Sequence, residues 1–326
     1  MDKGKNDIST KIKKFLANDK TGAILIVAIM CIFLVIATDN FATTRNIITL
    51  LRQSSFCLIV AMGVLCVFMG GGIDLSTGST MCLSAILCAK CAQETVDAPL
   101  IVIWLVAIAV GVVIGGINGF LIGYMKLPAL IETLGMSTLL GGVTLLITSG
   151  YSVNNLSDKF NAMGIGKVGQ IPVPVIIAVA MCVIMWFILK KTKYGRHLCA
   201  TGGNEQAAIV SGINTKRVKM MSYILCSIFA SVSGMIICAR FQSGQLSIGA
   251  GYELDAISAA VIGGASMTGG AGSVIGVGFG TFVLTILNNG LDLMAVNAYW
   301  QDAVQGIVII LAVMLDVARH KIKNSI

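Results

Sequence analysis

Residues capable of metal, redox or acid–base chemistry are scattered along this sequence and do not form clusters. Cys88 and Cys91 have the spacing of a redox or metal-binding pair, but no second cysteine pair and no nearby histidine accompanies them. The two histidines, His197 and His320, both fall in basic segments, so a histidine-based catalytic or metal cluster is not expected. The sequence therefore predicts no metal site and no enzyme active site.

Motifs for nucleotide chemistry are also missing from the sequence. It contains no Gly-x4-Gly-Lys-Ser/Thr phosphate loop, no dinucleotide fingerprint, no zinc-protease helix and no nucleophile elbow. Charged residues inside apolar stretches, such as Arg52, Asp74, Lys90 and Glu132, are scattered rather than gathered into the carboxylate arrays of ion-coupled carriers. A transport role would therefore need energy from outside this chain.

The one long basic segment, residues 190–219, contains the signals of a short helix. Asn204 is a good N-cap, Glu205 lies in the first turn where the helix dipole favours an anion, and Gly212 can end the helix. Ala207 and Ala208 between them are strong helix formers. The segment predicts a helix of about two turns.

A helix this short is marginal alone in water, so it must pack against something. Its small residues suit close docking into a cleft of another protein. The segment is either the place where a soluble partner grips this chain or an ordinary solvated connector, and its residues alone do not decide between the two.

The composition of the 326-residue chain is that of a membrane protein. Hydrophobic residues make up 56% of the sequence and charged residues 12%, and the mean hydropathy is +0.90. The net charge of +8 needs no nucleic acid partner to explain it, because basic residues hold cytoplasmic loops on their side of a membrane.

The apolar stretches predict an all-α polytopic membrane protein with about ten transmembrane helices, some of them broken at glycine-rich segments. The predicted spans are residues 22–37, 46–69, 80–89, 100–123, 128–148, 172–189, 220–239, 253–262, 272–287 and 300–315. We divide the chain into a cytoplasmic leader (1–21), a transmembrane domain (22–318) that includes the loop 190–219, and a cytoplasmic tail (319–326). The first apolar run is taken as a transmembrane helix and not as a signal peptide.

Glycine-rich segments at residues 70–79 and 263–273 predict breaks in the helices. Broken backbone at membrane depth survives only where protein or a water-filled cavity surrounds it. Asp74, inside the first segment, is therefore a candidate functional or structural hinge, with an exposed cytoplasmic turn as the alternative. Glu132, near the start of its span, is expected at the membrane interface.

Two glycine ladders at four-residue spacing predict close helix packing. They are Gly111, Gly115, Gly119 and Gly123 in the first, and Gly272, Gly276 and Gly280 in the second. Each ladder lies on one helix face and can press backbone to backbone against a neighbour. The spacing leaves open whether that neighbour lies in this chain or in a second copy.

Charge asymmetry predicts the orientation of the chain. Of the 23 Lys and Arg residues, 17 fall on one predicted side or its border: six in residues 1–21, one at Lys126, seven between Lys190 and Lys219, and three at the C-terminus. The predicted outer loops hold Asp39, Glu94, Asp97, Asp158 and Asp292. Both termini and the basic loop are therefore predicted to be cytoplasmic.

Several groups of residues, taken together, carry a resemblance to a known family. They are Gly72-Ile-Asp-Leu-Ser76 with Gly78 and Ser79, Pro128 to Gly135, Tyr194-Gly-Arg196 leading to Gly202-Gly-Asn204, Glu205 to Ala208 with Gly212, Tyr252 to Ile257, Gly263-Gly264 with Gly269-Gly270, and Asn288 to Leu291. From about residue 20 onward, the chain resembles the permease subunits of bacterial ABC importers of the ribose, galactose and xylose class, and among these the ribose type.

The resemblance implies a coupling helix that sits in a groove of an ATPase. Its residues would be Gly202, Gly203, Asn204, Glu205, Ala207, Ala208 and Gly212, with Gln206 departing from the family's usual Glu-Ala-Ala form. It further implies an ABC ATPase subunit that binds ATP and Mg²⁺, an extracytoplasmic sugar-binding protein, a second, identical permease copy and a place in the bacterial cytoplasmic (inner) membrane. This chain itself would carry no cofactor.

Polar residues in or near the predicted spans are candidates for the translocation pathway or for hinges. They are Asp74, Ser76, Asn118, Asn288 and Asn289, and hydrogen bonding between helices is the alternative role for each. A secondary transporter or channel working alone is the second interpretation of the chain, and a membrane enzyme is the third. The sequence does not choose among sugars.

Overall fold

The computed structural model describes residues 19–297, 299–301, 303–308, 310–311 and 314. Its elements, in chain order, are α1 (Asp19–Ala37), α2 (Thr44–Met69), α3 (Thr77–Ala92), α4 (Leu100–Gly123), α5 (Ala129–Thr148), α6 (Asp158–Ile165), β1 (Lys167–Val168), β2 (Ile171–Pro172), α7 (Val173–Lys191), α8 (Lys193–Gly203), α9 (Glu205–Val210), α10 (Thr215–Phe241), α11 (Tyr252–Ile262) and α12 (Val274–Leu293). The two strands pair as a small antiparallel hairpin.

The prediction of an all-α polytopic membrane protein is confirmed. Within the described ranges, six helices are long and apolar enough to cross a membrane: α2, α4, α5, α7, α10 and α12. The predicted eighth span corresponds to α11, which has only 11 residues. The count of about ten therefore stays a prediction. Most of the predicted leader and all of the tail lie outside the described residues, and the tenth predicted span is described only in part.

Two helices form the centre of the structure. In both α2 and α10, 72% of the apolar span is buried inside the chain, against 22–28% for α4, α5 and α7. The hydroxyl of Ser233 on α10 donates to the carbonyl oxygen of Phe56 on α2 at 2.9 Å, a bond fully inside the core. The outer helices leave most of their apolar surface to lipid or to a partner.

The first glycine ladder packs within this chain. Gly111, Gly115, Gly119 and Gly123 all face the backbone of α10. A β-carbon added to Gly115 would stand 2.4 Å from the carbonyl oxygen of Tyr223, closer than two such atoms can approach. The partner that the sequence left open is therefore a helix of the same chain, and α4 lies backbone to backbone on α10.

The second ladder also faces helices of this chain. A β-carbon at Gly276 would lie 2.1 Å from the carbonyl oxygen of Gly263, and one at Gly280 would lie 2.0 Å from that of Ala259. Gly272 instead faces side chains of α2. The first turns of α12 are thus pressed against the end of α11.

The ends of α2 and α11 have the same backbone geometry. Each contains a glycine in the left-handed region just past the helix, Gly71 at φ +75° and Gly264 at φ +80°. The N–H of the following residue donates to the carbonyl five residues earlier, at 3.0 Å in the first case and 2.9 Å in the second. Both are Schellman endings, which require glycine because its missing β-carbon permits positive φ.

The close contact between α4 and α10 gives a matched pair of variants. We expect Gly115→Val to destabilise the protein by about 1–3 kcal/mol or more, because the side chain would collide with the α10 backbone. Gly116→Val is the control, since a β-carbon there meets no atom within 4 Å. Thermal unfolding in detergent measures both, and equal melting temperatures for the two variants would contradict the packing.

Candidate functional site

The helix predicted between Asn204 and Gly212 is present as α9. The side-chain oxygen of Asn204 accepts a hydrogen bond from the N–H of Ala207 at 3.0 Å, which is the expected N-cap. Gly212 ends the helix with φ +80°, and the N–H of Ile213 donates to the carbonyl of Ala208 at 3.0 Å. Because both ends are capped, six residues can hold a helical shape that so short a peptide would not keep alone.

One face of α9 is largely exposed within the described chain. Val210 is 88% exposed and Ile209 is 49% exposed, and Gln206 and Ala207 are exposed beside them. Ala208 lies on the opposite face and is only 3% exposed, so it packs inward and cannot touch a partner. We call Gln206, Ala207, Ile209 and Val210 the α9 outer face.

An ion pair ties α9 to the core helix α10. The Lys219 ammonium lies 2.6 Å from a carboxylate oxygen of Glu205, with side-chain exposures of 24% and 42%. Burial opposes ionisation of Glu205, but the hydrogen bond and charge of Lys219 outweigh it and hold the pKa of Glu205 below its ordinary value. The ion pair therefore links the exposed short helix to the base of α10.

The end of α8 touches both glycine-rich breaks. A β-carbon at Gly202 would stand 2.0 Å from the carbonyl oxygen of Met69 and 2.7 Å from the amide nitrogen of Gly270. The same Gly270 N–H donates to the Met69 carbonyl at 3.1 Å, and the thiol of Cys199 donates to the Gly270 carbonyl. We call Met69, Gly202 and Gly270 the glycine junction. The sequence shows a glycine pair near each of residues 70, 202 and 270. Only the tertiary structure shows that these three pairs lie together.

Asp74, Ser76 and Asn118 come together in a buried network. One carboxylate oxygen of Asp74 accepts from the Ser76 N–H at 2.9 Å and from its hydroxyl at 2.6 Å, and the Asn118 amide donates to that hydroxyl at 2.9 Å. The hydroxyl of Tyr223 donates to the carbonyl of Ile73 at 3.1 Å. Asp74 is completely buried, so its placement in an exposed turn is wrong. The network fixes the α2–α3 break to α4 and α10.

Glu132 is buried within the chain, although it lies in the first turn of α5, the end of the predicted span where an interfacial residue was expected. Its side chain is 9% exposed, and neither carboxylate oxygen has a hydrogen-bond partner among the described residues. Glu132 starts a buried stripe on α5 that continues at four-residue spacing through Met136, Leu140 and Thr144. That spacing is visible in the sequence and is the signal that would have placed Glu132 on the packed face.

Asn288 and Asn289 are adjacent in the sequence, but their side chains lie in different surroundings. Asn289 exchanges two amide hydrogen bonds with Asn46, at 3.0 and 2.9 Å, and this joins α12 to α2. Asn288 instead lines a cavity of about 140 Å³ together with Gln53 and Tyr252. The structure thus separates the predicted pathway residues into a buried network, an amide pair and one cavity-lining side chain.

The site has no evident place for a metal ion. Within the described ranges, no three His, Cys, Asp or Glu side chains are close enough to share one. A cavity of about 330 Å³ beside α9 is lined by Lys126, Lys216 and Lys219 as well as by Glu205 and Tyr223. The three lysine side chains make this cavity favourable for water and anions. The cavity lies between α9 and the helices behind it.

Removing the ion pair should loosen α9. We expect Lys219→Met to raise amide hydrogen exchange in α9 about 1.5- to 5-fold, the size expected for a partly exposed pair. Arg217→Met is the control, because Arg217 is exposed on the same turn. In the unmutated chain, the protection of the α9 amides relative to their intrinsic exchange at each pH should decrease as pH falls through the lowered pKa of Glu205, since the pair stabilises only while that carboxylate is ionised. Unchanged exchange in Lys219→Met would exclude this anchoring role.

Comparisons with known proteins place the chain in a family. Residues 46–313 match the family model described as "Branched-chain amino acid transport system / permease component". The ribose import permease protein RbsC of Escherichia coli strain K12 is 39% identical over 297 residues, covering 89% of this chain and 92% of the relative. RbsC of Bacillus subtilis strain 168 is 41% identical over 299 residues, covering 91% and 92%.

A third relative differs in its sugar. The galactose/methyl galactoside import permease protein MglC of Escherichia coli strain K12 is 35% identical, covering 96% of this chain and 98% of the relative. No solved structure gives a significant match. The family match covers most of the chain and agrees with its apolar helices. The chain therefore belongs to the branched-chain amino acid transport system permease component family and is a non-catalytic, multi-pass membrane permease.

Proposed function

We propose that this chain is the transmembrane subunit of an ATP-driven ABC importer that carries a monosaccharide of the ribose kind into the cytoplasm. The family description names branched-chain amino acids, but the similar relatives are import permeases for ribose and for galactose or methyl galactoside, and a D-allose transport permease. The sugar is supplied by an extracytoplasmic binding protein. The chain itself hydrolyses no ATP.

The observation that carries the proposal is the α9 outer face. Val210 and Ile209 expose apolar side chains on a helix that is capped at both ends and anchored by the Glu205–Lys219 pair. Exposed apolar side chains on a rigid helix suit a groove in a soluble protein. We assign that partner as the ABC ATPase, which binds ATP and Mg²⁺, and the α9 outer face as its docking surface.

The glycine junction provides a route from the docking surface into the membrane part. Movement of α9 and α8 displaces Gly202, which has no free space against the Met69 carbonyl and Gly270. Met69 ends α2, and Gly270 lies in the segment between α11 and α12. A push by the ATPase would therefore reach the end of α2 and the segment that joins α11 to α12, which suits a rigid-body switch of these helices.

The orientation of the chain and its exposed helix faces indicate how the transporter assembles. Charge asymmetry supports a cytoplasmic position for α9 and both termini, in the inner membrane of a bacterium. An ATPase with two nucleotide-binding modules offers two docking grooves, so a second, identical permease copy would supply the second α9. The largely exposed faces of α4, α5 and α7 suit lipid or that second copy.

A stand-alone carrier driven by an ion gradient is the second candidate. Glu132 and Asp74 favour it, because both carboxyl groups are buried and close enough to interact electrostatically. Such a carrier would take up sugar in vesicles that contain this chain alone. The ABC assignment predicts no uptake without the ATPase and ATP, whatever ion gradient is applied.

A charge on the α9 outer face should prevent docking. We expect Val210→Glu to weaken binding of the purified chain to its ATPase by at least about tenfold, because a carboxylate would be buried without a partner. ATP-driven sugar uptake should fall with it. Val168→Glu is the control, since Val168 is also exposed (63%) but lies in the β1–β2 hairpin, away from α9. Normal assembly and uptake by Val210→Glu would refute the docking surface.

A further inference from the structure

A cavity of about 330 Å³ separates the exposed short helix α9 from the helices behind it. Its walls come from four places: the turn after α2 at residues 70–72, the loop between α4 and α5, α9 itself and the first turns of α10. The volume is at the lower end of the range for small-molecule sites. The cavity can therefore hold a small ligand between α9 and the membrane helices.

The charged side chains that line this cavity are unbalanced. Three lysines, Lys126, Lys216 and Lys219, line it together with a single carboxylate, which gives the lining a surplus of positive charge. That carboxylate belongs to Glu205 and is already paired with Lys219 at 2.6 Å. Among the described residues, neither Lys126 nor Lys216 has a carboxylate within ion-pair distance. Two ammonium groups of the lining therefore have no counter-ion in the described part of the chain.

The three lysines come from two elements of the fold. Lys219 on α10 is partly buried, with 24% of its side chain exposed, whereas Lys126 and Lys216 are exposed. Lys216 lies three residues before Lys219, so both are on one face of α10. Lys126 follows the end of α4 with φ +60°, in the left-handed region where glycine is the usual residue. The cavity thus has ammonium groups both from the end of α4 and from the base of α10.

The rest of the lining offers further hydrogen-bond donors and an apolar wall. Each ammonium group has three N–H donors, and Lys219 uses one of its three on Glu205. The side-chain amide of Gln206 adds two more donors. Three apolar side chains complete the wall, namely Ile122, Leu127 and Ile209. Because apolar surface lowers the local dielectric constant, it strengthens the attraction between the lysines and an anion.

A phosphate group matches this lining. It carries negative charge and has acceptor oxygens on several sides, and lysine binds it as a compact charge with several donors. The cavity lies where the apolar helices α2 and α4 end and where α10 begins. Both the headgroup of a lipid and a phosphate compound dissolved in water can reach that position.

We propose that this cavity binds a phosphate group, and that the bound group fixes α9 to α10 and to the loop between α4 and α5. Lys126 and Lys216 bind the phosphate, and Lys219 contacts both the phosphate and Glu205. Gln206 lines the cavity and also belongs to the α9 outer face. Occupancy of the cavity therefore stiffens the helix that we assign to ATPase docking. Binding itself needs only the folded chain and does not depend on the importer function.

The test measures binding of radiolabelled inorganic phosphate to the purified full chain in phosphatidylcholine nanodiscs, by equilibrium dialysis. We expect Lys126→Gln and Lys216→Gln each to weaken binding about three- to tenfold, because each removes one charge-assisted contact. Arg217→Gln is the control, since Arg217 is exposed on the same turn of α10 but does not line the cavity. Lys219 is left unchanged because its substitution would also release Glu205.

Bound phosphate should also slow amide hydrogen exchange in α9. At constant pH and ionic strength, added inorganic phosphate should slow this exchange in the unmutated chain and in Arg217→Gln. It should have little effect in the double variant Lys126→Gln/Lys216→Gln, which has lost both unpaired ammonium groups of the lining.

A second lipid composition identifies the source of the phosphate group. Nanodiscs with added phosphatidylglycerol are compared with phosphatidylcholine nanodiscs, with no inorganic phosphate present. Slower α9 exchange with phosphatidylglycerol in the unmutated chain, but not in the double variant, assigns the site to a lipid headgroup. Exchange that is slowed only by added inorganic phosphate assigns it to a dissolved phosphate compound.

Two results would overturn the proposal. The first is that the unmutated chain binds no inorganic phosphate and that its α9 exchange is the same in both lipids. The second is that the double variant binds phosphate as Arg217→Gln does, or responds to phosphatidylglycerol as the unmutated chain does. Since no ATPase and no sugar are present, these results are separate from any failure of the importer function.

Discussion

The structure depends on the close approach of three backbone segments at Gly202. A β-carbon there would stand 2.0 Å from the Met69 carbonyl, whose oxygen also accepts the Gly270 N–H at 3.1 Å. Interiors packed to this density deform little, so a displacement of one segment moves the others. The contact thus joins the end of α8 to the end of α2 and to the segment between α11 and α12.

A separate buried polar network holds the end of α2 in place on its other side. The buried network around Asp74 and Ser76 keeps the α2–α3 break joined to α4 and α10, where backbone groups freed from the helix would otherwise lack partners. The glycine ladder of α4 holds that helix against α10 at short range. Helices α4 and α10 and the α2–α3 break thus pack closely together, whereas the cavities of about 140 and 320 Å³ lie between α2 and α12.

Local signals in the sequence predicted the local features well. The N-cap at Asn204, the helix end at Gly212 and the glycine-rich breaks each depend on residues next to one another in the chain. The all-α membrane class follows from apolar composition, which needs no tertiary information. The position of α9 between two capped ends therefore follows from neighbouring residues alone.

Features that depend on the helix neighbour were harder to predict. The inward face of Ala208 and the burial of Glu132 depend on which side of a short or weakly amphipathic helix meets the core. The ladder Gly111 to Gly123 predicted close packing but not its partner, because any helix can fill a glycine groove. Gln53 and Asn288 lie 235 positions apart in the sequence, so only the fold shows that they line one cavity.

We propose that the glycine junction transmits motion from α9 to the membrane helices. The most direct measurement is the number of sugar molecules imported per ATP hydrolysed, in vesicles containing the full transporter with Gly202→Ala or Gly203→Ala. A β-carbon at Gly202 would disturb the junction, whereas one at Gly203 would lie 4.0 Å from its nearest neighbour. We expect Gly202→Ala to keep ATP hydrolysis while import per ATP falls at least about tenfold, and Gly203→Ala to remain near the unmutated ratio. Equal ratios for the two variants would contradict the account.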